Sequence, residues 1–223
     1  MKIILLIPIY NDRESLTKLI ENINFEIEGA NSEISIVVIN DASSQQIIDK
    51  YKNTENINSI EIINMKENRG HARCIASGLK YIFEKKEFDY VIPMDGDGED
   101  RPEEIKNFIQ IADQTEDKSI IGERVKRSES LIFKVCYQAH KILTFAFTNQ
   151  SIKFGNFTCL SKSTVKKMIN EKATWNSFSG SLKKIEKNLL SIPSIRGTRY
   201  FGPSKMSFFN LLKHSLSMIS VFR

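Results

Sequence analysis

Four acidic residues crowd into the stretch DGDGED, residues 95–100. Carboxylates this close repel one another unless a cation lies between them or water screens their charges. Carboxylate oxygens are hard ligands suited to Mg²⁺ or Mn²⁺. The two intervening glycines allow a turn in which Asp95 and Asp97 converge, which a straight strand forbids. Taken alone, the stretch is compatible with a divalent metal site, a catalytic carboxylate pair or a solvated turn.

Other common ligand-binding motifs do not fit this chain. An EF-hand loop would need glycine at Asp100 and an acidic residue at Lys106. No G-x-G-x-x-G follows the first apolar run, and no G-x-x-x-x-G-K-[ST] occurs anywhere. A dinucleotide-binding enzyme and a P-loop enzyme are therefore disfavoured. A metal held by carboxylates, which neutralises a diphosphate, is the remaining common way to bind a nucleotide.

The elements that must position the acidic stretch alternate between strand and helix. Apolar β-type runs cover 2–9, 33–41, 59–65, 88–94 and 119–122, and helical patterns cover 13–28, 69–83 and the residues from Pro102 onward. Ser43 or Ser44 can also cap a helix after the second run. This alternation predicts an α/β fold with a mostly parallel sheet flanked by helices. Ligands bind beyond the carboxyl ends of such strands. The predicted strand ends carry Asp12, Asp41, Asp95 and Arg124, which is the composition of a site.

The second half of the chain is less regular. Residues 128–148 are predicted to be helical, 154–161 a strand followed by a short helix capped by Ser163, and 191–202 a strand or strand pair. The last stretch, 206–223, has apolar residues at helical spacing and predicts a C-terminal amphipathic helical segment. We divide the chain into one domain, 1–202, with a metal- and nucleotide-binding half (1–125) and an acceptor half (126–202), and a membrane-interface segment, 203–223.

Charge is distributed very unevenly along the chain. Residues 1–116 contain 13 Lys and Arg against 22 Asp and Glu, whereas residues 117–223 contain 19 against 5. The first half is suited to cations, and the second to anions or an anionic surface. The basic half has no nucleic-acid recognition motif, so we expect no nucleic-acid partner. Three scattered cysteines indicate a reducing compartment, and neither a signal peptide nor a membrane-spanning helix is expected.

Seven short motifs in this order resemble family 2 glycosyltransferases, and most closely the polyprenyl-phosphate sugar transferases typified by dolichol-phosphate mannosyltransferase. Any one motif is weak, but seven in register are specific. The motifs are PIYND at 8–12, NDAS at 40–43, NRG at 68–70, MDGDGEDRPE at 94–103, GER at 122–124, GNF at 155–157, and the arginine at 199 with GPSK at 202–205.

The resemblance implies a GT-A-like, Rossmann-like fold and a role for each matched residue. It implies donor binding by Pro8, Tyr10, Asp12, Asp41, Arg69 and Asp95, metal binding by Asp95, Asp97 and Glu99, catalytic roles for Asp95, Asp97 and Arg124, and phosphate or acceptor binding by Arg124, Arg199, Ser204 and Lys205. The chain departs from the family pattern at Asp12, Asn40, Glu99, Glu123 and Asn156, where the family has Glu, Asp, Gln, Ser and Asp respectively.

The acceptor is inferred from the second half. A sugar hydroxyl needs a general base, and family members that use one carry an Asp after an acidic pair. Between residues 150 and 182 the only acidic residue is Glu171, which has no acidic neighbour. A phosphate monoester has a second pKa near ~6 and is already anionic at neutral pH. It needs positioning and charge compensation, which Arg124, Arg196, Arg199 and Lys205 suit.

The sequence thus predicts an inverting, metal-dependent glycosyltransferase that moves a sugar from a UDP- or GDP-linked donor to a polyprenyl phosphate, for a cell envelope glycan. We expect a cytoplasmic protein, peripheral on the inner face of the cell membrane. The sequence is compatible both with a homo-oligomer and with a complex that contains a membrane subunit. The alternatives are a transferase of the same fold acting on a sugar hydroxyl of a surface glycan, and a catalytically weak, membrane-associated binding module. A sugar-nucleotide pyrophosphorylase is a further alternative, but its Gly-rich opening loop is missing.

Overall fold

The chain folds around one seven-stranded sheet in the computed structural model, which describes residues 1–47, 51–52, 54–126, 152–202, 216–217 and 220–222. The strands are β1 (Lys2–Ile9), β2 (Glu33–Asn40), β3 (Ser59–Asn64), β4 (Tyr90–Pro93), β5 (Ile120–Lys126), β6 (Phe154–Ser161) and β7 (Leu190–Ile195). The helices are α1 (Arg13–Glu26), α2 (His71–Lys85), α3 (Ile105–Gln114), α4 (Lys162–Asn170) and α5 (Phe178–Ile185), with 3-10 turns at Pro102–Glu104 and Lys172–Trp175.

The strand order is β3-β2-β1-β4-β6-β5-β7. The first four strands in this order are parallel, β6 runs antiparallel to both of its neighbours, and β7 is parallel to β5. The register pairs Ile9 with Asn40 and Asn40 with Asn64. Three carboxyl ends therefore lie side by side at one edge of the sheet, as the alternating pattern predicted.

The two faces of the sheet are buried under different helices. On β1 the odd residues Ile3, Leu5 and Ile7 join the cluster that contains α1, α3 and the fully buried Phe108. The even residues Ile4 and Leu6 join the cluster formed by α2, α4 and α5. Side chains of a strand alternate between faces, so a strand covered on both sides must be apolar along its buried length, as residues 3–9 of β1 are.

Two local predictions differ from the structure. Residues 42–47 are not helical, because the Ser43 hydroxyl accepts a hydrogen bond from Asn11 N–H (2.9 Å) and does not cap a helix. Helix α4 is capped by Ser161, whose hydroxyl accepts a hydrogen bond from Thr164 N–H, and not by Ser163. The helix predicted at 128–148 and most of the amphipathic segment 203–223 lie outside the described residues.

Candidate active site

The acidic stretch follows β4 directly, at the carboxyl edge of the sheet. Asp95 is the second residue after the strand, and its side chain is about one-fifth exposed. The Asn156 amide of β6 donates to Asp95 Oδ1 (3.3 Å) and lies 2.6 Å from His71 Nε2, and that nitrogen is 3.3 Å from the same carboxylate oxygen. Burial raises the pKa of Asp95, but the charges of His71, Arg196 and Arg124 outweigh burial and lower it overall.

Asp97 is joined to the start of α1 through one arginine. Arg199 Nη1 donates to Asp97 Oδ2 (2.5 Å), and Arg199 Nη2 donates to Asp12 Oδ2 (2.6 Å). Burial and the neighbouring charge of Asp95 raise the pKa of Asp97 to about 6 even though Arg199 opposes the shift. The single guanidinium therefore bridges two carboxylates that lie 85 positions apart in the sequence.

Glu99 is paired with Arg196, and both side chains are about one-fifth exposed. This ion pair compensates the negative charge of Glu99, at a position where the family pattern has a neutral glutamine. The pair raises the pKa of the Arg196 guanidinium, although burial opposes the shift. The structure therefore uses the extra negative charge of Glu99 to hold an arginine, and a metal-binding role for Glu99 stays a prediction.

Residues 196–200, the arginine segment, lie along the acidic turn. Gly197 N–H donates to Glu99 O (2.8 Å), and Tyr200 N–H donates to Asp97 O (3.0 Å). Gly98 has φ of +89°, and a Cβ there would lie 2.5 Å from the Tyr200 ring. Glycine is required at that position both for its backbone conformation and for the close approach of the ring. The turn and the arginine segment thus form one unit.

Asp100 supports the turn from inside. It is 5% exposed, and its Oδ2 accepts a hydrogen bond from Asp95 N–H (2.9 Å). Burial and the charge of Asp95 raise the pKa of Asp100 to about 7, with Arg124 and Arg196 acting in the opposite direction. Arg124 of β5 lies against Gly155 of β6, where a Cβ would come within 2.5 Å of its Nη2. The Arg124 guanidinium fits at this position because Gly155 has no side chain.

The loops on the donor side of the edge are fixed mainly by short polar side chains. Asp41 is 3% exposed, and its two oxygens accept hydrogen bonds from Arg69 N–H (2.7 Å) and Gly70 N–H (2.8 Å). Asn11, at φ of +48°, accepts hydrogen bonds from Ser44 N–H and Oγ–H at 2.9 and 3.1 Å. Asparagine tolerates this left-handed conformation better than most residues. These contacts hold the loops after β1, β2 and β3 together.

The structure brings most of the predicted site residues together, but not in equivalent roles. Three separate ion-pair groups lie around the turn, and we call them together the charged network. Arg199 pairs with Asp12 and Asp97, His71 with Asp95, and Arg196 with Glu99. On the donor side, Tyr10 is 46% exposed, Pro8 is buried in β1, and the Arg69 side chain pairs with Glu67 at the surface. Ser204 and Lys205 lie outside the described residues. Donor binding by Pro8, Tyr10, Asp41 and Arg69 stays a prediction.

Four residues of this site have no specific role predicted from the sequence. His71 is not part of any of the seven motifs, Arg196 was named only as one of several cations, and Asn156 and Asn11 appear only within motifs. One signal for Arg196 was available: an extra acidic residue at position 99, in an already acidic turn, requires a nearby cation. The contacts of His71 and Asn156 depend on β6 lying beside β4, which no local pattern reveals.

The carboxylates do not form a complete metal cage. Among the described residues, no group of three His, Cys, Asp or Glu side chains is placed to hold a metal ion. Asp95 and Asp97 nevertheless supply hard oxygen ligands at the end of a buried strand, close to three arginines that can compensate an anionic ligand. The donor set fits a divalent cation whose remaining ligands come from phosphate oxygens and water, as is usual for Mg²⁺.

Comparison with known proteins agrees with this geometry. The sequence pattern described as glycosyl transferase family 2 matches residues 4–176, more than three-quarters of the chain. The chain belongs to this family. The mostly parallel sheet flanked by helices is the GT-A-like fold expected of it. A specific relationship to dolichol-phosphate mannosyltransferase is not confirmed.

Several solved structures share the fold at low sequence identity. S. aureus TarS 1-349 in complex with UDP-GlcNAc has a TM-score of 0.58 at 15% identity, over 89% of this chain and 59% of that chain. Glucosyl-3-phosphoglycerate synthase from Mycobacterium tuberculosis, in complex with Mn²⁺, UDP and phosphoglyceric acid, has a TM-score of 0.67 at 12% identity, over 99% and 76% of the two chains. Mannosyl-3-phosphoglycerate synthase from Rubrobacter xylanophilus has a TM-score of 0.63 at 10% identity, over 99% and 72%.

The alignment with TarS leaves much of that protein unmatched. This chain spans less than three-fifths of the 1-349 fragment and 35% of the longer TarS structure. In the described residues of this chain, no helix is both long enough and apolar enough to cross a membrane.

Proposed function

We propose that this protein transfers a sugar from a nucleoside diphosphate sugar to a polyprenyl phosphate, with inversion at the anomeric carbon and with the help of a divalent cation. One observation carries the proposal. At the edge of the sheet, two partly buried carboxylates, Asp95 and Asp97, lie close to three arginines. Arg199 pairs with Asp97, and the charges of Arg124 and Arg196 act on Asp95. This arrangement suits a metal and several phosphate groups at once.

The donor is proposed to bind at the loops after β1 and β2, with its diphosphate at the acidic turn. Asp95 and Asp97 would hold Mg²⁺ or Mn²⁺, and a bound cation supplies positive charge that stabilises the departing nucleoside diphosphate. Tyr10 offers an exposed ring beside these loops, on which a base could stack. Similar structures were solved with UDP-GlcNAc or with Mn²⁺ and UDP, so uridine donors are the first to test, with guanosine donors beside them.

The proposed acceptor is a phosphate because neither position 156 nor position 171, the two candidates that the motif and the sequence give for a general base, supplies one. Asn156, where the family pattern has Asp, donates a hydrogen bond to Asp95 and cannot accept a proton from a hydroxyl group. Glu171 accepts a hydrogen bond from Ala173 N–H (3.1 Å) and pairs with Lys184 (3.2 Å), and these contacts lower its pKa. A phosphate monoester carries its own nucleophilic charge and requires only cations to position it.

The acceptor assignment is tested by offering two acceptors to the full-length protein. With UDP- or GDP-sugars and Mn²⁺, we expect a short-chain polyprenyl phosphate to receive the sugar, detected by mass spectrometry of the lipid fraction. Chelation of the metal should abolish transfer. A free oligosaccharide and phosphoglyceric acid serve as competing acceptors, the latter because it is bound in a similar structure.

Each result of this assay has a defined meaning. Transfer to the oligosaccharide alone would support the rival enzyme that acts on a sugar hydroxyl. Donor binding without transfer to any acceptor would support the membrane-associated binding module. Failure to bind any donor would overturn both enzyme hypotheses.

We also propose that the protein works peripherally at the inner face of the cell membrane, where a polyprenyl phosphate would be presented. The basic second half and the amphipathic sequence of 203–223 support this proposal. The full-length protein is expected to sediment with vesicles that contain anionic phospholipid much more than with neutral vesicles, and added salt should weaken the association. Equal sedimentation with both kinds of vesicle would contradict it. A second copy of the chain or a membrane subunit as partner also remains a proposal.

A further inference from the structure

Arg199 is hydrogen-bonded to Asp97, a carboxylate that the proposed metal would bind. Its guanidinium donates to Asp97 Oδ2 with one nitrogen and to Asp12 Oδ2 with the other, and its side chain is 14% exposed. The other oxygen of Asp97 accepts a hydrogen bond from Glu99 N–H (3.0 Å). A charged hydrogen bond of this kind must be broken or weakened before Asp97 can bind a cation.

The remaining nitrogen of Arg199 is left without a partner. Arg199 Nε is buried and makes no hydrogen bond to any residue in the described part of the chain. A buried donor without a partner is costly, and guanidinium groups are well matched to phosphate oxygens. Arg199 therefore has unused hydrogen-bonding capacity at the point where a diphosphate or a phosphate acceptor is proposed to lie.

The backbone around Arg199 is anchored independently of its side chain. Tyr200 N–H donates to Asp97 O (3.0 Å), and the Tyr200 hydroxyl accepts a hydrogen bond from Asn22 Nδ2 (2.8 Å). On the other side, Gly197 N–H donates to Glu99 O (2.8 Å), and Arg196 pairs with Glu99. The guanidinium can change partners by side-chain rotation while these contacts keep the arginine segment in place.

We propose that Arg199 and the divalent cation compete for Asp97, so that loading of the metal and the nucleotide moves the Arg199 guanidinium from Asp97 to a phosphate of the bound substrate. Arg199 is then a positioning residue with two opposite effects: it weakens binding of the metal alone and strengthens binding of the nucleoside diphosphate once the metal is present. This inference rests on the proposed function, because it requires a metal at Asp97.

The test measures Mn²⁺ binding without nucleotide, by titration calorimetry on the full-length protein. Arg199→Gln is expected to lower the Kd for Mn²⁺ about tenfold, the effect of releasing one charge-assisted hydrogen bond. Arg101→Gln removes the same charge beside the same turn without touching Asp97, and should change the Kd by no more than about twofold. At saturating Mn²⁺, Arg199→Gln should bind UDP or GDP about tenfold more weakly than the wild type.

A second variant guards against misfolding of the first. Arg199→Lys keeps the charge, but an ammonium lacks the fork that bridges two carboxylates, so its Mn²⁺ affinity should fall between those of the wild type and Arg199→Gln. Introducing Asp97→Asn into the Arg199→Gln protein should remove the gain in Mn²⁺ affinity.

The outcomes separate this inference from the function on which it rests. If the wild type binds Mn²⁺ through Asp97 but Arg199→Gln binds it no more tightly than Arg101→Gln does, the competition is wrong and the proposed function stands. A gain that persists in the Asp97→Asn background also overturns the competition. If the wild type binds no Mn²⁺, alone or with UDP or GDP, both proposals fail.

Discussion

Replacing Asp97 with Asn is expected to lower kcat/KM for sugar transfer by about 100-fold or more, because the site loses a charged ligand at the position where diphosphate charge is compensated. The loss should appear both in transfer to polyprenyl phosphate and in slow hydrolysis of the donor, since both reactions expel the same nucleoside diphosphate. Steady-state rates with Mn²⁺ at saturating acceptor measure it.

The control for this substitution is Asp113→Asn on α3. Asp113 is an exposed acidic residue outside the network, so the same change there should leave kcat/KM within about twofold of the wild-type value. Thermal unfolding of both variants checks that the fold is retained. An Asp97→Asn protein that folds and keeps more than about one-third of wild-type kcat/KM would contradict a role for this carboxylate in the reaction.

The second large effect is on stability, and it depends on pH. Burial raises the pKa of Asp100 from 3.8 to about 7 and that of Asp97 from 3.8 to about 6. As pH rises above 3.8, the unfolded chain releases these protons while the folded protein keeps them, so unfolding becomes more favourable. The free energy of unfolding should therefore fall between about pH 4 and pH 7, by on the order of 2–4 kcal/mol for the coupled pair.

Asp100→Asn isolates this effect. Its amide oxygen can still accept the hydrogen bond from Asp95 N–H, but it has no proton to lose. In the presence of a chelator, the variant should have a flatter dependence of unfolding free energy on pH than the wild type, and a higher Tm at pH 7.5. Asp95 has the opposite effect on the free energy of unfolding. Because its pKa is lowered in the folded protein, its ionised form stabilises the fold above about pH 4. Denaturant titrations at several pH values measure both curves, and parallel curves would contradict the raised pKa of Asp100.

The sheet could be predicted from sequence where a strand is buried on both faces. The β1 run KIILLIPI and the β2 run EISIVVIN are typical of parallel strands buried between two helical layers. The carboxyl ends of β1 and β2 then determine where Asp12 and Asp41 lie, and the end of β4 determines where Asp95 lies. The helix predicted after β2 was wrong for residues 42–47. The Ser43 hydroxyl can either cap a helix or accept a hydrogen bond from elsewhere, and it accepts one from Asn11 N–H, 32 positions away.

The pairings of charge within the site could not be predicted in the same way. The sequence supplies the acids of the 95–100 turn and the arginines of the second half, but not which arginine meets which acid. That choice depends on β7 delivering residues 196–200 across the acidic turn, a contact between segments about 100 positions apart. Glu99 is an example: its motif predicts a metal ligand, which stays a prediction, and the sequence does not reveal its ion pair with Arg196.

The most direct test of the central claim is to locate the metal and the nucleotide at the acidic turn. Crystals of the full-length protein grown with Mn²⁺ and UDP or GDP would show the metal by anomalous scattering. We expect one Mn²⁺ peak within ~2.0–2.6 Å of carboxylate oxygens of Asp95 or Asp97, bridged to the diphosphate, with the Arg199 guanidinium hydrogen-bonded to a phosphate. A nucleotide bound at this edge without metal, or a metal bound away from both carboxylates, would contradict it.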